Sequence, residues 1–485
     1  MIKNFHPAAL AVGLATCAPG LVSAPATAQS PWGELLRNDI EAAYSAIEAN
    51  HVGPVDAENP AFRELMNRAR TEALRRADTV DSWEGYRFAM MGFADRLEDG
   101  HMNIFFRVES RRARWPSFIA LRQAGRSNIV LNESGDERLD GATITACDGE
   151  EIEAVRARVA SPFYGVAEIE GAHARAMPYV FLDEGNPFVD YPETCEMRAA
   201  DGSTFEYELR WARTRPADWN EHLEEARGGA ADFKFEEYAP GRFWVSVPTF
   251  MLDEGQVEQV RALIAEIEER HDDIALGEQL VIDIRGNGGG NSFWANQIAI
   301  ALFGEDYLTH RLPRQRHTPV WRLSEENMER VEGFRRYNES IGAERNTRYY
   351  ANMYEEMQGA RENGDILWAE NDGGLREEAP AVDNPVRART VILTDSGCFS
   401  SCLNFMDLLT LVEGRIIAGD HTYADAVYME SQNRHLPSRL ANLNYTMKVI
   451  RNRARGHNQA FAPDWLYTGT DWSEVALRDW IDAQP

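Results

Sequence analysis

The sequence of 485 residues has far less positive than negative charge, with 50 Lys and Arg against 78 Asp and Glu. The net charge of −28 at pH 7 argues against a nucleic-acid partner and against adhesion to anionic membranes, because both require a basic surface. Beyond the N-terminus, no apolar run is long enough to span a membrane stably. No histidine stands at metal-ligand spacing from the few cysteines, so we expect neither a metal nor another cofactor.

The N-terminus has the anatomy of a secretory signal peptide. Lys3 precedes an apolar run at residues 8–15, and the small residues Ala26-Thr27-Ala28 end the segment. We therefore predict that residues 1–28 form a signal peptide cleaved after Ala28. The mature protein would then be periplasmic or secreted.

Cysteine is scarce, and its count becomes informative if the protein is exported. Removal of Cys17 with the signal peptide leaves four cysteines, and an even number in an oxidising compartment predicts two disulfides. Cys398 and Cys402 are four residues apart, which a disulfide can bridge across a helical turn. Cys147 and Cys195 are the expected second pair. The alternative is that all four are buried free thiols.

The most informative segment is Gly397-Cys398-Phe399-Ser400-Ser401, which follows the apolar run Val391-Ile392-Leu393. The pattern predicts a buried strand, a sharp glycine turn and a helix that opens at Ser400. A hydroxyl at a helix N-terminus lies beside unpaired backbone N–H groups, which suits a nucleophile next to an oxyanion site. The alternative is that Ser400 is an ordinary N-cap.

A second segment repeats this arrangement. The apolar run Leu280-Val281-Ile282-Asp283-Ile284 leads into Arg285-Gly286-Asn287-Gly288-Gly289-Gly290 and then into a helical pattern. Glycines let the backbone approach a bound group and direct N–H donors toward it. A phosphate loop does not fit, because no Gly-Lys-Ser/Thr ends the segment and the dinucleotide spacing is absent. Tight strand–helix packing is the structural alternative.

Together the two segments resemble the tail-specific (C-terminal processing) and tricorn-core class of serine peptidases, which includes the interphotoreceptor retinoid-binding protein repeats. The resemblance extends from about residue 35 to the end of the chain. It implies a crotonase-like α/β catalytic domain with Ser400 as nucleophile. It also implies an oxyanion hole made by a backbone N–H of Gly288 or Gly289 and that of Ser401.

The resemblance also suggests the remaining catalytic groups. The bacterial processing branch places a lysine about 25 residues after its serine, but Asp425 stands there and only Lys448 follows. Asp99-Gly100-His101 is instead similar to the Asp-Gly-His pattern of the tricorn-like branch, which implies His101 as general base. The segment ending at Tyr428-Met429-Glu430 resembles the one that supplies the orienting carboxylate, which implies Glu430. Asp99 is the alternative.

The patterns divide the chain into regions. We predict an N-terminal helical domain at residues 29–115, a β-rich domain at 116–213, a linker at 214–234 and an α/β catalytic domain at 235–485. The catalytic domain would have a parallel-strand core. The polar and aromatic residues 310–380 read as an inserted helical cap or an oligomer contact. The stretch Gly141-Ala142-Thr143-Ile144 to Ile152 resembles a PDZ domain, and whether it binds substrate stays open.

The function predicted from these features is that of an exported serine hydrolase. We expect an endopeptidase or C-terminal processing-type peptidase that uses Ser400, His101 and Glu430 on a peptide or protein substrate. Because no lysine stands behind Ser400, the first alternative is a noncatalytic binding protein for an apolar ligand or peptide on the same fold. The second is an esterase or amidase that acts on small molecules.

Overall fold

The computed structural model describes residues 30–110, 113–166, 168–230, 232–371 and 373–485. The predicted signal peptide at residues 1–28 lies outside these described residues. Within the described ranges, no helix combines the length and the apolar character needed to cross a membrane.

Three helices form the N-terminal part of the described chain. Two of them begin at a serine, Ser30 or Ser82, whose hydroxyl accepts a hydrogen bond from the backbone N–H three residues later. Apolar residues at helical spacing, such as Leu36 and Ile40, are completely buried. The helices are α1 (Pro31–Asn50), α2 (Phe62–Arg76) and α3 (Trp83–Asp95), with a short 3-10 helix at Gly53–Val55.

The next part of the chain is rich in antiparallel strands. They are β1 (Asn103–Phe106), β2 (Ala113–Trp115), β3 (Phe118–Gln123), β4 (Arg126–Asn132), β5 (Thr143–Cys147), β6 (Glu150–Glu151), β7 (Thr194–Arg198), β8 (Thr204–Glu208) and β9 (Ala212–Thr214). One antiparallel sheet has the order β3-β4-β5-β7-β8, and β6 pairs with β5. Strands β2 and β9 pair with each other, whereas β1 joins a sheet of the C-terminal part.

Helices pack around this antiparallel sheet. They are α4 (Ile152–Val159), α5 (Ser161–Tyr164), α6 (Glu170–Ala176) and α7 (Pro216–Arg227), with 3-10 helices at Glu137–Leu139 and Met177–Phe181. Helix α7 occupies most of the segment predicted as a linker at residues 214–234. Its Trp219 and Leu223 are buried in one cluster with Trp115, while its glutamates are largely exposed. The glutamate-rich composition therefore belongs to the solvent face of an amphipathic helix.

The C-terminal part alternates strands and helices. The strands are β10 (Lys234–Ala239), β11 (Arg242–Ser246), β12 (Gln279–Asp283), β13 (Thr318–Arg322), β14 (Leu367–Ala369), β15 (Arg389–Thr394), β16 (Ile416–Gly419), β17 (Tyr428–His435), β18 (Ala441–Arg451) and β19 (Trp465–Leu466). The helices are α8 (Glu254–Glu269), α9 (His271–Leu276), α10 (Ser292–Phe303), α11 (Glu305–Arg311), α12 (Glu325–Ser340), α13 (Glu344–Glu362), α14 (Ser401–Leu409) and α15 (Glu474–Asp482).

A six-stranded sheet forms the centre of this part, in the order β10-β11-β12-β15-β16-β19. In this sheet β11, β12, β15, β16 and β19 run parallel to one another, and β10 pairs antiparallel with β11 at the edge. Leu280 and Ile282 of β12 face one apolar cluster, while Val281 faces another on the opposite side of the sheet. This two-sided burial explains why the strands read as continuous apolar runs.

A second sheet combines β1, which follows the N-terminal helices, with strands of the C-terminal part. It has the order β1-β18-β13-β14, with β17 also paired to β18. Strands β13 and β14 and helices α12 and α13 belong to the segment predicted as a cap at residues 310–380. Val331 and Met357 of these helices share an apolar core with Leu36 of α1. The mixed α/β fold therefore packs the N-terminal helices directly on C-terminal elements.

Candidate active site

The turn that connects β15 to α14 carries Ser400. The serine precedes α14 with a φ of 55° and a ψ of −117°. A residue other than glycine rarely adopts positive φ, so its surroundings must hold this turn in place. Although Ser400 stands at the N-cap position, its hydroxyl makes no capping hydrogen bond to the helix. The hydroxyl is therefore free to contact another group.

That group is the imidazole of His101, whose Nε2 lies 3.1 Å from Oγ of Ser400. The ring packs against Phe399 with a centroid distance of 4.8 Å. The side-chain amide of Asn444 donates to the carbonyl of His101 at 2.6 Å, and the nearby β1 pairs with β18. Pairing of β1 with β18 thus holds the histidine against the turn that carries Ser400.

Asp99 is the buried carboxylate beside this histidine. Its Oδ1 accepts the backbone N–H of His101 at 2.9 Å and lies 3.6 Å from Nδ1 of the ring. Its Oδ2 lies 3.6 Å from Nε2 of His51 and accepts from the hydroxyl of Thr446 at 3.4 Å. Ser400 and the carboxylate of Asp99 thus lie at the two different nitrogens of the His101 ring.

Burial and the attraction between Asp99 and His101 shift the pKa of each residue in opposite directions. Burial alone would raise the pKa of Asp99, but the attraction of its carboxylate to His101 and His51 outweighs burial and holds this pKa well below its ordinary value. Burial also disfavours the protonated form of His101, yet Asp99 outweighs that cost and raises the pKa of His101 above its ordinary value. An anionic Asp99 and a basic His101 are the states that general-base catalysis requires.

The glycine loop after β12 approaches other backbone so closely that side chains are excluded. A Cβ on Gly290 would lie 2.1 Å from the carbonyl carbon of Phe250, and one on Gly289 would lie 2.6 Å from the carbonyl oxygen of Phe399. Their φ values of 135° and 92° also favour glycine. The loop is therefore pressed against the turn that carries Ser400.

The three predicted oxyanion-hole residues differ in whether their N–H groups are available. Gly289 donates its N–H to Oδ1 of Asn287 at 3.0 Å, so this donor is already used. The N–H groups of Gly288 and Ser401 donate no hydrogen bond to any residue in the described ranges. Of the three predicted donors, the N–H groups of Gly288 and Ser401 therefore remain available to an acceptor.

A small hydrogen-bond network joins the glycine loop to α14. The hydroxyl of Ser401 donates to the carbonyl of Gly290 at 2.6 Å and accepts from the hydroxyl of Ser292 at 2.9 Å. Asn404 donates to Ser292 at 3.0 Å. These contacts keep the two strand–loop–helix segments in register.

The structure does not bring Glu430 to His101. Its Oε2 lies 3.2 Å from Nζ of Lys448, which sits over the ring of Trp321 at 4.6 Å. No hydrogen bond or ion pair joins Glu430 to His101 within the described part of the chain. Asp99, the alternative named from the sequence, is the carboxylate that faces the ring.

Asp425 occupies the position at which the processing branch would carry a lysine. It is completely buried and forms ion pairs with Arg453, at 2.8 Å, and with Arg455. Arg455 also pairs with Asp407 at 3.1 Å. The negative charge of Asp425 helps to raise the pKa of His101, and the positive charge of Arg453 opposes it.

Both expected disulfides are present. Cys398 is bonded to Cys402 across the turn and first residues of α14. Cys147 of β5 is bonded to Cys195, its directly paired residue on β7. The first disulfide encloses Ser400, so it braces the segment that carries the hydroxyl.

A cleft of about 400 Å³ is lined in part by Gly100 and Phe399, the chain neighbours of His101 and Ser400. The lining combines aromatic side chains, among them Tyr164, Tyr179 and Tyr423, with the charged side chains of Asp95, Arg175 and Arg227. The guanidinium of Arg175 lies over the ring of Tyr423 at 4.6 Å.

Three supporting residues were not identified from the sequence. His51, Asn287 and Asn444 act through contacts with Asp99, with the N–H of Gly289 and with the carbonyl of His101. Asn287 lies inside the glycine segment, so its position was a usable signal. His51 and Asn444 come from distant elements and carry no local pattern. No group of three or more His, Cys, Asp or Glu side chains in the described ranges is arranged to hold a metal ion.

Known proteins resemble this chain in fold and not in sequence. No protein-family model and no curated protein matches the sequence. Solved structures do match over nearly the whole chain, and they share its mixed α/β fold with several sheets.

Those structures include three of the protein CPAF. Mature CPAF matches with a TM-score of 0.62 and 13% identity, covering 90% of this chain and 92% of that one. Mature CPAF complexed with lactacystin matches with a TM-score of 0.62 and 14% identity, covering 90% and 94%. A serine-to-alanine mutant of CPAF matches with a TM-score of 0.63 and 13% identity, covering 93% and 96%. At these identities the likeness establishes the fold.

Proposed function

We propose that the chain is a serine peptidase of the tail-specific and tricorn-core class. The observation that carries the proposal is the contact of 3.1 Å between Nε2 of His101 and Oγ of Ser400. The distance lies within the hydrogen-bond reach of about 2.6–3.2 Å expected of a nucleophile and its base. Asp99 takes the orienting role, since it faces the other ring nitrogen.

The reaction follows from this geometry. Oγ of Ser400 attacks the scissile carbonyl while its proton passes to Nε2 of His101, and the imidazolium is stabilised by Asp99. The N–H groups of Gly288 and Ser401 receive the oxygen anion of the tetrahedral intermediate. His101 then gives its proton to the leaving amine, which leaves an acyl-enzyme. Water activated by His101 hydrolyses the acyl-enzyme and restores Ser400.

An extended polypeptide fits this site because β1 has a free edge. Arg107 of the segment after β1 donates its backbone N–H to the carbonyl of Leu440 at 2.9 Å. Along an antiparallel strand, the backbone groups of successive residues point alternately toward and away from the partner strand. The N–H and C=O of Ile104 and Phe106 therefore point away from β18. In the described ranges, no other strand pairs with β1. A substrate strand added there would run alongside His101 and place a side chain in the cleft.

We also propose that the protein is exported and assign a role to each of two domains. The two disulfides support a periplasmic or secreted location, because such bonds persist in oxidising compartments. We assign the parallel sheet and its helices to a crotonase-like catalytic core within residues 235–485. The antiparallel sheet within residues 116–213 would be a PDZ-like module.

Turnover of a peptide library tests the proposal. We expect the full chain to cleave peptides, and we expect Ser400→Ala and His101→Ala to abolish cleavage. Ser396→Ala, on the same turn, is the matched control and should retain it. Ester turnover without any peptide cleavage would instead identify an esterase. No turnover of any ester or peptide would favour the noncatalytic binding protein.

A further inference from the structure

His51 is a buried histidine whose ring has a defined proton position. It ends α1, and its Nδ1 accepts the backbone N–H of Gly53 at 2.9 Å. Because Nδ1 serves as an acceptor, the ring proton stands on Nε2. That nitrogen lies 3.6 Å from Oδ2 of Asp99, and both side chains are almost fully buried.

Packing holds the His51 ring in this orientation. The ring stacks on Phe62 with a centroid distance of 4.6 Å and meets the edge of Tyr428 at the same distance. A Cβ on Gly53 would lie 2.5 Å from the Phe62 ring, so the chain after α1 is also closely packed. The ring cannot turn without disturbing this core.

Asp99 therefore lies between two imidazoles. Its Oδ1 faces His101 and its Oδ2 faces His51, each 3.6 Å from a ring nitrogen. Neither nitrogen has a hydrogen-bond partner elsewhere in the described ranges. A buried N–H without an acceptor is unfavourable, so a movement of about 0.5 Å toward the carboxylate would satisfy both rings.

We propose that His51 is a positioning residue for the reaction at Ser400, an inference that rests on the proposed function. Its Nε2–H holds Oδ2 of Asp99, so that Oδ1 stays on the Nδ1 side of His101. The ring of His101 then keeps its unprotonated Nε2 toward Ser400. His51 itself takes no proton during the cycle, because the proton moves only between Ser400, His101 and the leaving group.

The test compares kcat and KM among substitutions at position 51 and in its surroundings. His51→Phe removes the donor but keeps an aromatic ring, and we expect kcat to fall about tenfold to a hundredfold with KM unchanged. His51→Gln retains a donor near the position of Nε2 and should recover most of the loss. Leu36→Ala opens a cavity in the same core near the other end of α1, away from the stack on His51, so it should lower the melting temperature and leave kcat within about twofold of wild type.

A double-mutant comparison shows whether His51 acts through Asp99. In an Asp99→Asn background, His51→Phe should change kcat by less than about threefold. An equal loss in both backgrounds would overturn the proposal. So would a folded His51→Phe protein whose kcat lies within about twofold of wild type.

A spectroscopic measurement separates this proposal from the proposed function. In 15N-histidine-labelled full chain carrying Ser400→Ala, we expect the Nδ1–H signal of His101 to shift or broaden when His51→Phe is added. Leu36→Ala should leave that signal in place. If the wild type cleaves nothing, the proposed function fails, and this signal alone decides whether His51 orients Asp99. An unchanged signal would refute the positioning role.

Discussion

Oδ1 of Asp99 lies 3.6 Å from Nδ1 of His101, although only Gly100 separates the two residues in sequence. A tight turn makes this possible, because Met102 donates its N–H to the carbonyl of Asp99 at 2.8 Å. The backbone N–H of His101 also donates to Oδ1 at 2.9 Å. The two side chains consequently lie next to each other on this turn.

Substitution of the two candidate carboxylates should give opposite results. Asp99→Asn should lower kcat by about a thousandfold or more, since an amide beside Nδ1 favours the wrong tautomer of His101. Glu430→Gln should change kcat by less than about fivefold, because a partly exposed ion pair with Lys448 contributes little. Steady-state kinetics on one peptide checks both. A larger loss for Glu430→Gln would return the orienting role to Glu430.

The pH dependence follows from the raised pKa of His101. The base must be unprotonated to accept the proton of Ser400, so activity is lost as pH falls through the pKa of His101. Because that pKa lies above the ordinary value of 6.5, the acid limb of kcat/KM should have its midpoint above pH 6.5.

The cause of that shift can be tested with Asp99→Asn, which should move the acid limb to lower pH because the negative charge that raises the pKa is removed. The measurement is kcat/KM across pH for wild type and variant. A limb that stays in place after Asp99→Asn would show that Asp99 does not control the basicity of His101.

The glycine loop offers a matched pair of substitutions. A Cβ on Gly288 meets no atom within 4 Å, so Gly288→Ala should keep both the fold and the activity. A Cβ on Gly289 would lie 2.9 Å from Cβ of Ser400, and its φ of 92° is unfavourable for alanine. Gly289→Ala should displace the nucleophile and lower kcat about a hundredfold or more. Equal kinetics for the two variants would contradict the close packing of this loop on Ser400.

The two disulfides should separate stability from activity. By loop-closure entropy, losing the Cys147–Cys195 bond, with a separation of 48 residues, should cost about 4 kcal/mol of unfolding free energy. Losing Cys398–Cys402, with a separation of 4, should cost about 2 kcal/mol. Only the second loss should lower kcat, since that bond encloses Ser400. Paired serine variants, compared by denaturant unfolding and kinetics, provide the measurement.

Local patterns predicted much of the fold and selected the two side chains, Ser400 and His101, that lie 3.1 Å apart. The apolar runs of β12 and β15 and their glycine turns were readable because parallel strands buried on both faces leave a distinct signature. Ser400 and His101 were readable because family-like motifs surround them. The helix at α7 was missed because its many glutamates hide two buried residues, Trp219 and Leu223.

The contacts of Gly289, Asp99 and His51 form only in the folded chain, so local patterns could not predict them. No sequence pattern distinguishes Gly288 from Gly289 as a possible oxyanion donor, because the distinction rests on the side chain of Asn287. The sequence favours Glu430 over Asp99 because neighbouring residues seldom face each other, whereas the turn at Gly100 brings Asp99 beside His101. His51 meets Asp99 through tertiary packing, which no local spacing reports.

Covalent labelling tests the central claim most directly. A fluorophosphonate probe should form one P–O bond at Oγ of Ser400 with loss of fluoride, seen by mass spectrometry as a single adduct on the peptide that contains Ser400. Ser400→Ala should carry no adduct, and His101→Ala should react far more slowly. An adduct on a different residue, or an unlabelled but folded wild-type protein, would contradict the account of Ser400 as a nucleophile activated by His101.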